Sequence, residues 1–404
     1  MLKRPLYTER ILRRADKPAV KILHGMKRSG KTSLLQLLQE ELQARGVPKK
    51  NMIYLSFEGL ENTAVHDYQS LYDVIEARIP KEGRPYLFLD EVQRVYGWEK
   101  AALHLLHDID ADIYAAGSNG SIISKNVLAV LDEHQYTFEI FPLSFSEYLT
   151  FREAYTAPEE MSRELARYLM TGGLPTLHLR AHTQTEAFTY ARDVMSAAIW
   201  NEVAGANQLR RADQLDRIVR FVFENVGRTF SAKHLSDSLK GENKEINIET
   251  VYTYLERLEN AYILSRCRRY DLQVGEPLKT QEKFYLADPV LRYALMGFAS
   301  ETVGTSLENI VYLELKRRGY DVYMGKLGRR ELDFVAFRGD ARMYVQLSRE
   351  IHGEASDRND HALLMSARDN YPKYILSTDA NASGNRNGIR TVNIADFLLG
   401  RVGE

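Results

Sequence analysis

Cysteine is nearly absent from this sequence, since Cys267 is the single cysteine among 404 residues. An internal disulfide framework and a cysteine-based metal site are therefore excluded, and this composition is typical of the reducing cytoplasm. Long apolar runs are also missing, so that we expect no membrane-spanning helix. The formal net charge is −1. The chain therefore lacks the excess of basic residues that is usual in proteins that coat nucleic acid by bulk electrostatics. A local basic face is still compatible with this charge.

The amino terminus has basic residues without an apolar segment behind them. Lys3 and Arg4 are followed by a mixed sequence, so that we expect no cleaved signal peptide and a cytoplasmic location. Hydrophobic residues make up 44% and charged residues 27% of the chain, as in ordinary globular proteins. A chain of 404 residues exceeds the size of one ordinary core, which predicts two or three domains.

Residues 25–32 fit the phosphate-binding loop pattern G-x-x-x-x-G-K-[ST]. An apolar strand at 20–23 precedes the loop and a helix at 33–38 follows it, which is the context that this loop requires. Lys31 is expected to reach the β- and γ-phosphates of ATP, and Thr32 to bind Mg²⁺ through its hydroxyl. The alternative is a glycine turn that happens to carry this Lys-Thr pair. The predicted nucleotide-binding residues are Gly25, Met26, Lys27, Arg28, Ser29, Gly30, Lys31, Thr32 and Ser33.

A second signature is the apolar strand at 86–90, which ends in two acids and has the form of a Walker B segment. Asp90 would hold Mg²⁺ directly or through water, and Glu91 would act as general base on the attacking water. A buried strand that runs into an acidic helix cap is the alternative. Together with the P-loop, the two acids favour ATP hydrolysis over passive storage of nucleotide.

Five apolar strands alternate with helical stretches, at 20–23, 52–57, 86–90, 113–116 and 136–141. They predict a doubly wound α/β domain with a five-stranded parallel sheet, of the additional-strand type of P-loop ATPase. Gly117-Ser118-Asn119 ends the fourth strand, at the sensor position of AAA+ ATPases. There Asn119, in preference to Ser118, would contact the γ-phosphate or its water. The alternative is an ordinary turn.

Several motifs occur in the order of a known family. They are the P-loop, residues 89–93 with Trp98-Glu99, residues 117–119, Phe-Pro-Leu-Ser-Phe at 141–145 and Gly-Gly-Leu-Pro at 172–175. Together they resemble the prokaryotic AAA-superfamily ATPases that carry a C-terminal domain of unknown function, relatives of the archaeal ATPases and of the STAND signalling ATPases. The resemblance covers nearly the whole chain, and implies an AAA+ fold, an ATPase and a homo-oligomeric ring.

The chain departs from this family just before the Phe-Pro-Leu-Ser-Phe run. Members commonly carry Gly-Arg there, whereas this sequence reads Glu133-His134. The arginine finger that acts on phosphate in such enzymes is therefore unassigned. Arg28 and Arg152 are candidates, and we favour the alternative that both are surface residues in solvent or in salt bridges.

The motifs and composition predict four domains: an ATPase core at 1–150, a helical lid at 151–210, a winged helix at 211–300 and a further α/β domain at 301–404. Interpreted as a recognition helix, the helix at 247–260 would enter the major groove of DNA while cations near the wing contact phosphates. Because the basic residues cluster more in the wing than on this helix, we favour phosphate contact without sequence readout. The predicted DNA-facing residues are Thr250, Thr253, Tyr254 and Arg257, with Lys240, Lys244, Arg266, Arg268 and Arg269 on phosphates. Glu249, Glu256 and Glu259 support the alternative of a protein–protein or interdomain module.

The helix and strand order after residue 300 resembles the restriction-endonuclease-like core. Glu308 and Asp333 match two of the acids of that core, and Gln346 stands where a third metal ligand is expected. Ser348 replaces the lysine that polarises water and phosphate, which predicts a degenerate nuclease site without cleavage. The alternative is that Glu308 pairs on its helix and Asp333 is an ordinary strand-end acid.

These patterns lead to two functional hypotheses. The first is a Mg²⁺-dependent ATPase that couples hydrolysis to DNA binding or remodelling, with a degenerate nuclease-like domain. The second is a STAND-like switch whose ATP or ADP state controls a protein partner. A third and weaker reading is an ATP-regulated nuclease.

Overall fold

The computed structural model describes residues 2–203, 208–239, 246–328, 330–348, 354–367, 369–379 and 383–402. Its internal contacts divide the chain into two units. The first unit contains Met1–Phe141 with Asn260–Tyr262, and the second contains Pro142–Glu259 and Ile263–Glu404. Within the described ranges, no helix is both long and apolar enough to cross a membrane.

The first unit alternates strands and helices. Its helices are α1 (Pro5–Leu12), α2 (Lys31–Ala44), α3 (Tyr68–Glu76), α4 (Trp98–Asp108) and α5 (Lys125–Leu131). Its strands are β1 (Val20–His24), β2 (Met52–Ser56), β3 (Tyr86–Asp90), β4 (Asp112–Gly117) and β5 (Gln135–Glu139).

All five strands of the first unit form one parallel sheet in the order β2-β3-β4-β1-β5. Strand β4 lies between β1 and β3, which is the additional strand that the sequence predicts. Every residue of β1, β3 and β4 is buried, as expected for strands that are covered by helices on both faces. The predicted α/β fold with a five-stranded parallel sheet is therefore confirmed.

Alternating side chains of these strands build two apolar layers, one on each face of the sheet. On one face Leu87 and Leu89 pack in a cluster with Trp98 of α4. On the other face Phe88 packs in a cluster with Leu34 of α2 and with the amino-terminal helix. The parallel strands thus end at one sheet edge, where β1 leads into the P-loop and β3 into the two acids.

The second unit begins with helices and continues with strands. Its helices are α6 (Phe145–Glu153), α7 (Met161–Thr171), α8 (Gln184–Ala198), α9 (Gln208–Glu224), α10 (Ala232–Ser238), α11 (Ile248–Asn260), α12 (Val290–Met296), α13 (Val303–Arg317), α14 (Glu354–Met365) and α15 (Ile394–Leu398). Its strands are β6 (Leu264–Asp271), β7 (Glu276–Leu286), β8 (Asp321–Leu327), β9 (Arg330–Arg338), β10 (Ala341–Leu347), β11 (Lys373–Ser377), β12 (Ser383–Arg386) and β13 (Ile389–Asn393).

These eight strands form one sheet in the order β12-β13-β11-β10-β9-β8-β6-β7. The hairpin β6–β7 is antiparallel, and β6 pairs in parallel with β8 through Arg269 opposite Met324. The predicted wing is therefore part of a hairpin that extends the sheet of the C-terminal strands.

The face of α11 that was predicted to read DNA is only partly exposed. Thr253 is exposed, but Tyr254 is 5% exposed and belongs to the core. The expectation that Tyr254 lies on the DNA-facing surface is therefore wrong, because it shares its face with the buried Val251 and Leu258.

Candidate functional site

The P-loop joins β1 to α2 and curls closely against its surroundings. Gly25 has φ +146°, and a Cβ atom added there would lie 2.4 Å from the carbonyl oxygen of Ile140. Gly30 precedes α2 in a left-handed conformation with φ +97°. Both positions need glycine, because a side chain would clash at the first and strain the backbone at the second.

Lys31 is buried beneath this loop. Its Nζ donates hydrogen bonds to the carbonyl oxygens of Gly25 and Met26, each at 2.9 Å. Burial lowers the pKa of Lys31 to about 8, against the opposing effect of the carboxylates of Glu91 and Asp90. The ammonium therefore lies under the loop in a setting that an anionic phosphate would stabilise.

Thr32 and Asp90 meet across the sheet edge. The hydroxyl of Thr32 donates to Oδ2 of Asp90 at 2.8 Å, and the hydroxyl of Tyr54 donates to the same oxygen at 3.1 Å. The other oxygen, Oδ1, is buried and has no hydrogen-bond partner among the described residues. Burial raises the pKa of Asp90. An unpaired buried carboxylate oxygen beside a hydroxyl fits Mg²⁺, which prefers such hard oxygen ligands.

Glu91 follows β3 in a left-handed backbone conformation with φ +55°. Its Oε2 accepts hydrogen bonds from Nε2 of Gln93 at 2.6 Å and from Oγ of Ser118 at 2.7 Å. Glu91 is thus fixed next to Asp90 at the edge where β3 and β4 end.

The two predicted sensor residues have different partners. Ser118 contacts Glu91, whereas Oδ1 of Asn119 accepts from the backbone N–H of Ser121 at 2.9 Å and caps a short 3-10 turn. We predicted Asn119, in preference to Ser118, as the sensor residue. The side chain that contacts Glu91 in the structure is that of Ser118. Gln93 belongs to the motif at residues 89–93, but the sequence assigned it no role. Its contact with Glu91 depends on how the turn between the two residues folds, which the local sequence does not reveal.

Arg4 also contacts the P-loop, and this contact was not predicted from the sequence. It is 3% exposed, and its guanidinium donates to the carbonyl oxygens of Ser29 at 2.8 Å and Phe141 at 2.9 Å. The hydroxyl of Ser29 is buried without a hydrogen-bond partner among the described residues. A buried arginine before the first helix gives no local signal, since its partners lie 25 and 137 residues away.

The other cations of the loop are nearer the surface. Lys27 pairs with Glu58 at 3.0 Å, and Arg28 is exposed with φ +68°.

The other finger candidate, Arg152, belongs to the second unit. It pairs with Glu164 and Glu159, each at 2.8 Å. Arg152 is therefore in salt bridges, as we favoured, but the expectation that it lies on the surface is wrong, because it is only 8% exposed.

The three residues of the predicted nuclease-like site are buried, and each takes part in hydrogen bonds within the protein. Oε1 of Glu308 accepts from Lys283 at 2.7 Å and from Tyr285 at 2.6 Å. Asp333 accepts from the backbone N–H of Leu347 at 2.8 Å, and Oε1 of Gln346 accepts from the backbone N–H of Asp333 at 3.1 Å. Among the described residues, no group of three or more His, Cys, Asp or Glu is arranged to hold a metal ion.

The arginines predicted to contact DNA phosphates are largely paired with acids. Arg266 contacts Glu259 at 2.7 Å and Glu282 at 3.0 Å, and Arg269 contacts Glu331 at 3.3 Å. Arg268 is exposed. The predicted phosphate contacts Lys240 and Lys244 lie outside the described residues.

Comparisons with known proteins agree with this geometry. Residues 17–149 match a family model described as an AAA domain, and residues 162–302 match one described as a domain of unknown function. An uncharacterized protein of Haemophilus influenzae is 29% identical over 400 residues, which cover 99% of both chains. An uncharacterized protein of Methanocaldococcus jannaschii is 25% identical over 364 residues, which cover 87% of this chain and 79% of that protein.

Among solved structures, the chain is similar in fold to a Walker-type ATPase of Pyrococcus abyssi. The two share 17% identity with a TM-score of 0.50, over 73% of this chain and 96% of that one. The family match covers the residues that form the parallel sheet of the first unit. Residues 17–149 thus match an AAA-domain model and have the fold of a P-loop ATPase.

Proposed function

We propose that this protein is a Mg²⁺-dependent ATP hydrolase whose chemical core is Lys31, Thr32, Asp90 and Glu91. The observation that carries the proposal is the 2.8 Å contact between Thr32 and Asp90, whose other oxygen is buried and has no partner in the described part of the chain. This pair has the chemistry of a Mg²⁺ site beside a phosphate-binding loop. The buried Lys31 directly precedes Thr32 in the sequence, and the fixed carboxylate of Glu91 directly follows Asp90.

Each residue has a distinct role in this proposal. Lys31 exchanges its two carbonyl partners for oxygens of the β- and γ-phosphates, and Thr32 and Asp90 hold the metal ion. When bound, Mg²⁺ neutralises charge on these phosphates. Glu91 takes a proton from the water that attacks the γ-phosphate. Backbone N–H groups of the loop and the amino-terminal end of α2 stabilise the remaining phosphate charge.

Steady-state hydrolysis and nucleotide binding test this proposal. Lys31→Ala is expected to weaken ATP binding at least 100-fold, because the buried positive charge is lost. Glu91→Gln is expected to bind ATP like the wild type and to stop turnover. Lys50→Ala is the matched control, since that lysine is exposed and lies outside the loop, and should change affinity less than about threefold. Equal hydrolysis by the wild type and Glu91→Gln would contradict the assigned general base.

Coupling of ATP hydrolysis to DNA is the first candidate for the cellular role. It is supported by the exposed Arg268 on β6 and by the order of three helices and a hairpin at α9, α10, α11 and β6–β7. Hydrolysis at fixed low salt would be measured without DNA, and with single strands, duplex and a branched junction. Stimulation by one DNA form, absent in Glu91→Gln, would support a DNA-handling ATPase.

A nucleotide switch that controls a protein partner is the second candidate. The observation that favours it is the ion pairing of Arg266 and Arg269, together with exposed Glu249 and Glu256 on α11. Acids on that face would repel DNA phosphates. Slow turnover with tightly retained ADP, unchanged by every DNA form, would support this switch and contradict the first candidate.

For the C-terminal strands we propose a structural or docking role without DNA cleavage. The hydrogen bonds of Glu308 and Asp333 within the core support this proposal. Mg²⁺-dependent cutting that Asp333→Ala abolishes would contradict it.

A further inference from the structure

The carboxylate of Glu91 is held by two side chains from different elements. Gln93 lies in the 3-10 turn Val92–Arg94 after β3, and Ser118 follows β4. The two hydrogen bonds, at 2.6 Å and 2.7 Å, both end on Oε2 of Glu91. Neither hydrogen bond involves Oε1 of Glu91, so that both bonds leave this oxygen to accept a proton.

A glycine on the neighbouring strand leaves room for the side chain of Gln93. A Cβ atom added at Gly117 would lie 2.4 Å from Oε1 of Gln93 and 3.2 Å from its Cδ. Oε1 is buried and has no hydrogen-bond partner among the described residues. The carboxamide thus lies close to the end of β4, and its Nε2 donates to Glu91.

We infer that Gln93 is a positioning residue for ATP hydrolysis, which with Ser118 holds Oε2 of Glu91 so that Oε1 takes the proton of the attacking water. The inference rests on the proposed function. A free glutamate side chain would sample several rotamers, and only some of them bring an oxygen to the water. Two hydrogen bonds to one oxygen select a single orientation. Residues that orient a reacting side chain typically change rates by 10- to 100-fold when they are removed.

Gln93→Met and Gln93→Ala test this role. Methionine keeps the length and bulk of glutamine but cannot donate to Glu91. Both variants are expected to lower kcat about 10- to 100-fold, while KM and the affinity for a non-hydrolysable ATP analogue stay within about threefold. The control is Gln43→Ala on the exposed face of α2, which should leave kcat and KM unchanged. A wild-type kcat in Gln93→Met would mean that only packing matters, and would overturn the inference.

A second measurement asks whether Gln93 acts through Glu91. In a Glu91→Gln background, the residual hydrolysis of bound ATP is followed in a single turnover with excess enzyme over long times. Adding Gln93→Met is expected to cause no further loss of this residual rate, since there is no carboxylate left to orient. A further 10-fold loss in the double variant would overturn the inference. A wild type that binds ATP without hydrolysing it would remove the proposed function itself. Wild-type hydrolysis that is lost in Glu91→Gln and kept in Gln93→Met would remove only the role of Gln93.

Discussion

His178 is a fully buried histidine of the second unit. Its Nε2 lies 2.8 Å from the carbonyl oxygen of Gly172, and its ring meets that of Tyr148 edge-on. Nδ1 is buried without a hydrogen-bond partner among the described residues. This arrangement fits a neutral ring that donates from Nε2. Burial lowers the pKa of His178 to about 3, with a smaller effect from the charge of His182.

This burial predicts a loss of stability in acid. The folded-state pKa of His178 lies below its ordinary value near 6.5, so that the unfolded chain takes up a proton that the folded chain refuses. Its contribution to stability is therefore present above pH 6.5 and is lost as pH falls toward 3, by up to about 1.4 kcal/mol per pH unit. His178→Gln keeps a donor for Gly172 and should flatten the dependence of unfolding free energy on pH between 6.5 and 4.

Denaturant unfolding of the wild type and His178→Gln at several pH values measures this slope. NMR titration of the wild-type ring is the matched check, since His178 should keep its neutral chemical shifts from pH 8 to pH 5. Equal slopes in the two proteins, or a ring that titrates near pH 6.5, would contradict the prediction.

Single residues of the site were predictable where their role follows from local sequence. Lys31 and Thr32 end a loop motif whose eight residues are contiguous, and Asp90 is the last residue of its buried strand. The contacts of Ser118 and Arg4 could not be predicted in this way. Ser118 meets Glu91 only because β4 lies next to β3, and Arg4 binds carbonyls far along the chain. Such contacts depend on tertiary packing, which periodicity does not encode.

At the scale of elements, the glycine pair 172–173 joins α7 to the 3-10 segment Pro175–Leu179. The backbone N–H of Gly173 donates to Oδ2 of Asp288 at 2.6 Å, and its carbonyl accepts from the N–H of Leu143 at 2.7 Å. The segment is thus tied by hydrogen bonds to the residues that precede α6 and α12. These bonds give the segment a structural role.

The close approach at Gly173 predicts that it tolerates no side chain. A Cβ atom there would lie 2.4 Å from the carbonyl oxygen of Leu143, which is backbone and cannot swing away. Gly173→Ala should therefore destabilise the protein by about 1–3 kcal/mol. Gly304→Ala in α13 is the matched control, because a Cβ there meets nothing within 4 Å, and alanine should stabilise the helix slightly. Thermal unfolding would measure both, and equal melting of Gly173→Ala and the wild type would refute the prediction.

Many helices and strands follow from the sequence, whereas the pairing of the second sheet does not. The strand at 20–23 was predicted within one residue of β1, since apolar runs and glycines mark such strands locally. A β wing was predicted after α11, without a neighbouring strand in the C-terminal domain. Its pairing with β8 joins residues about 55 positions apart, such as Arg269 and Met324. Local patterns specify that a strand forms, but not its neighbour.

At the scale of the whole molecule, each unit has its own sheet, and the residues of the proposed ATP site belong to the first unit. The start of α2 supplies Lys31 and Thr32, and the end of β3 supplies Asp90 with Glu91 directly after it. Ligand binding must therefore stabilise the first unit directly, because a ligand that binds only the folded state shifts the unfolding equilibrium.

We therefore predict a Mg²⁺-dependent stabilisation that hydrogen exchange can localise. In Glu91→Gln, which should bind without turnover, Mg²⁺-ATP at 100 times its Kd is expected to protect the amides of α2 by about 2.7 kcal/mol. Removal of Mg²⁺ with EDTA should reduce this protection, since Asp90 then faces the phosphates without a cation between them. Thr32→Val keeps the shape of the side chain without its hydroxyl, and should lose most of the EDTA-sensitive part. Protection of equal size with and without Mg²⁺ would show that Thr32 and Asp90 hold no metal ion.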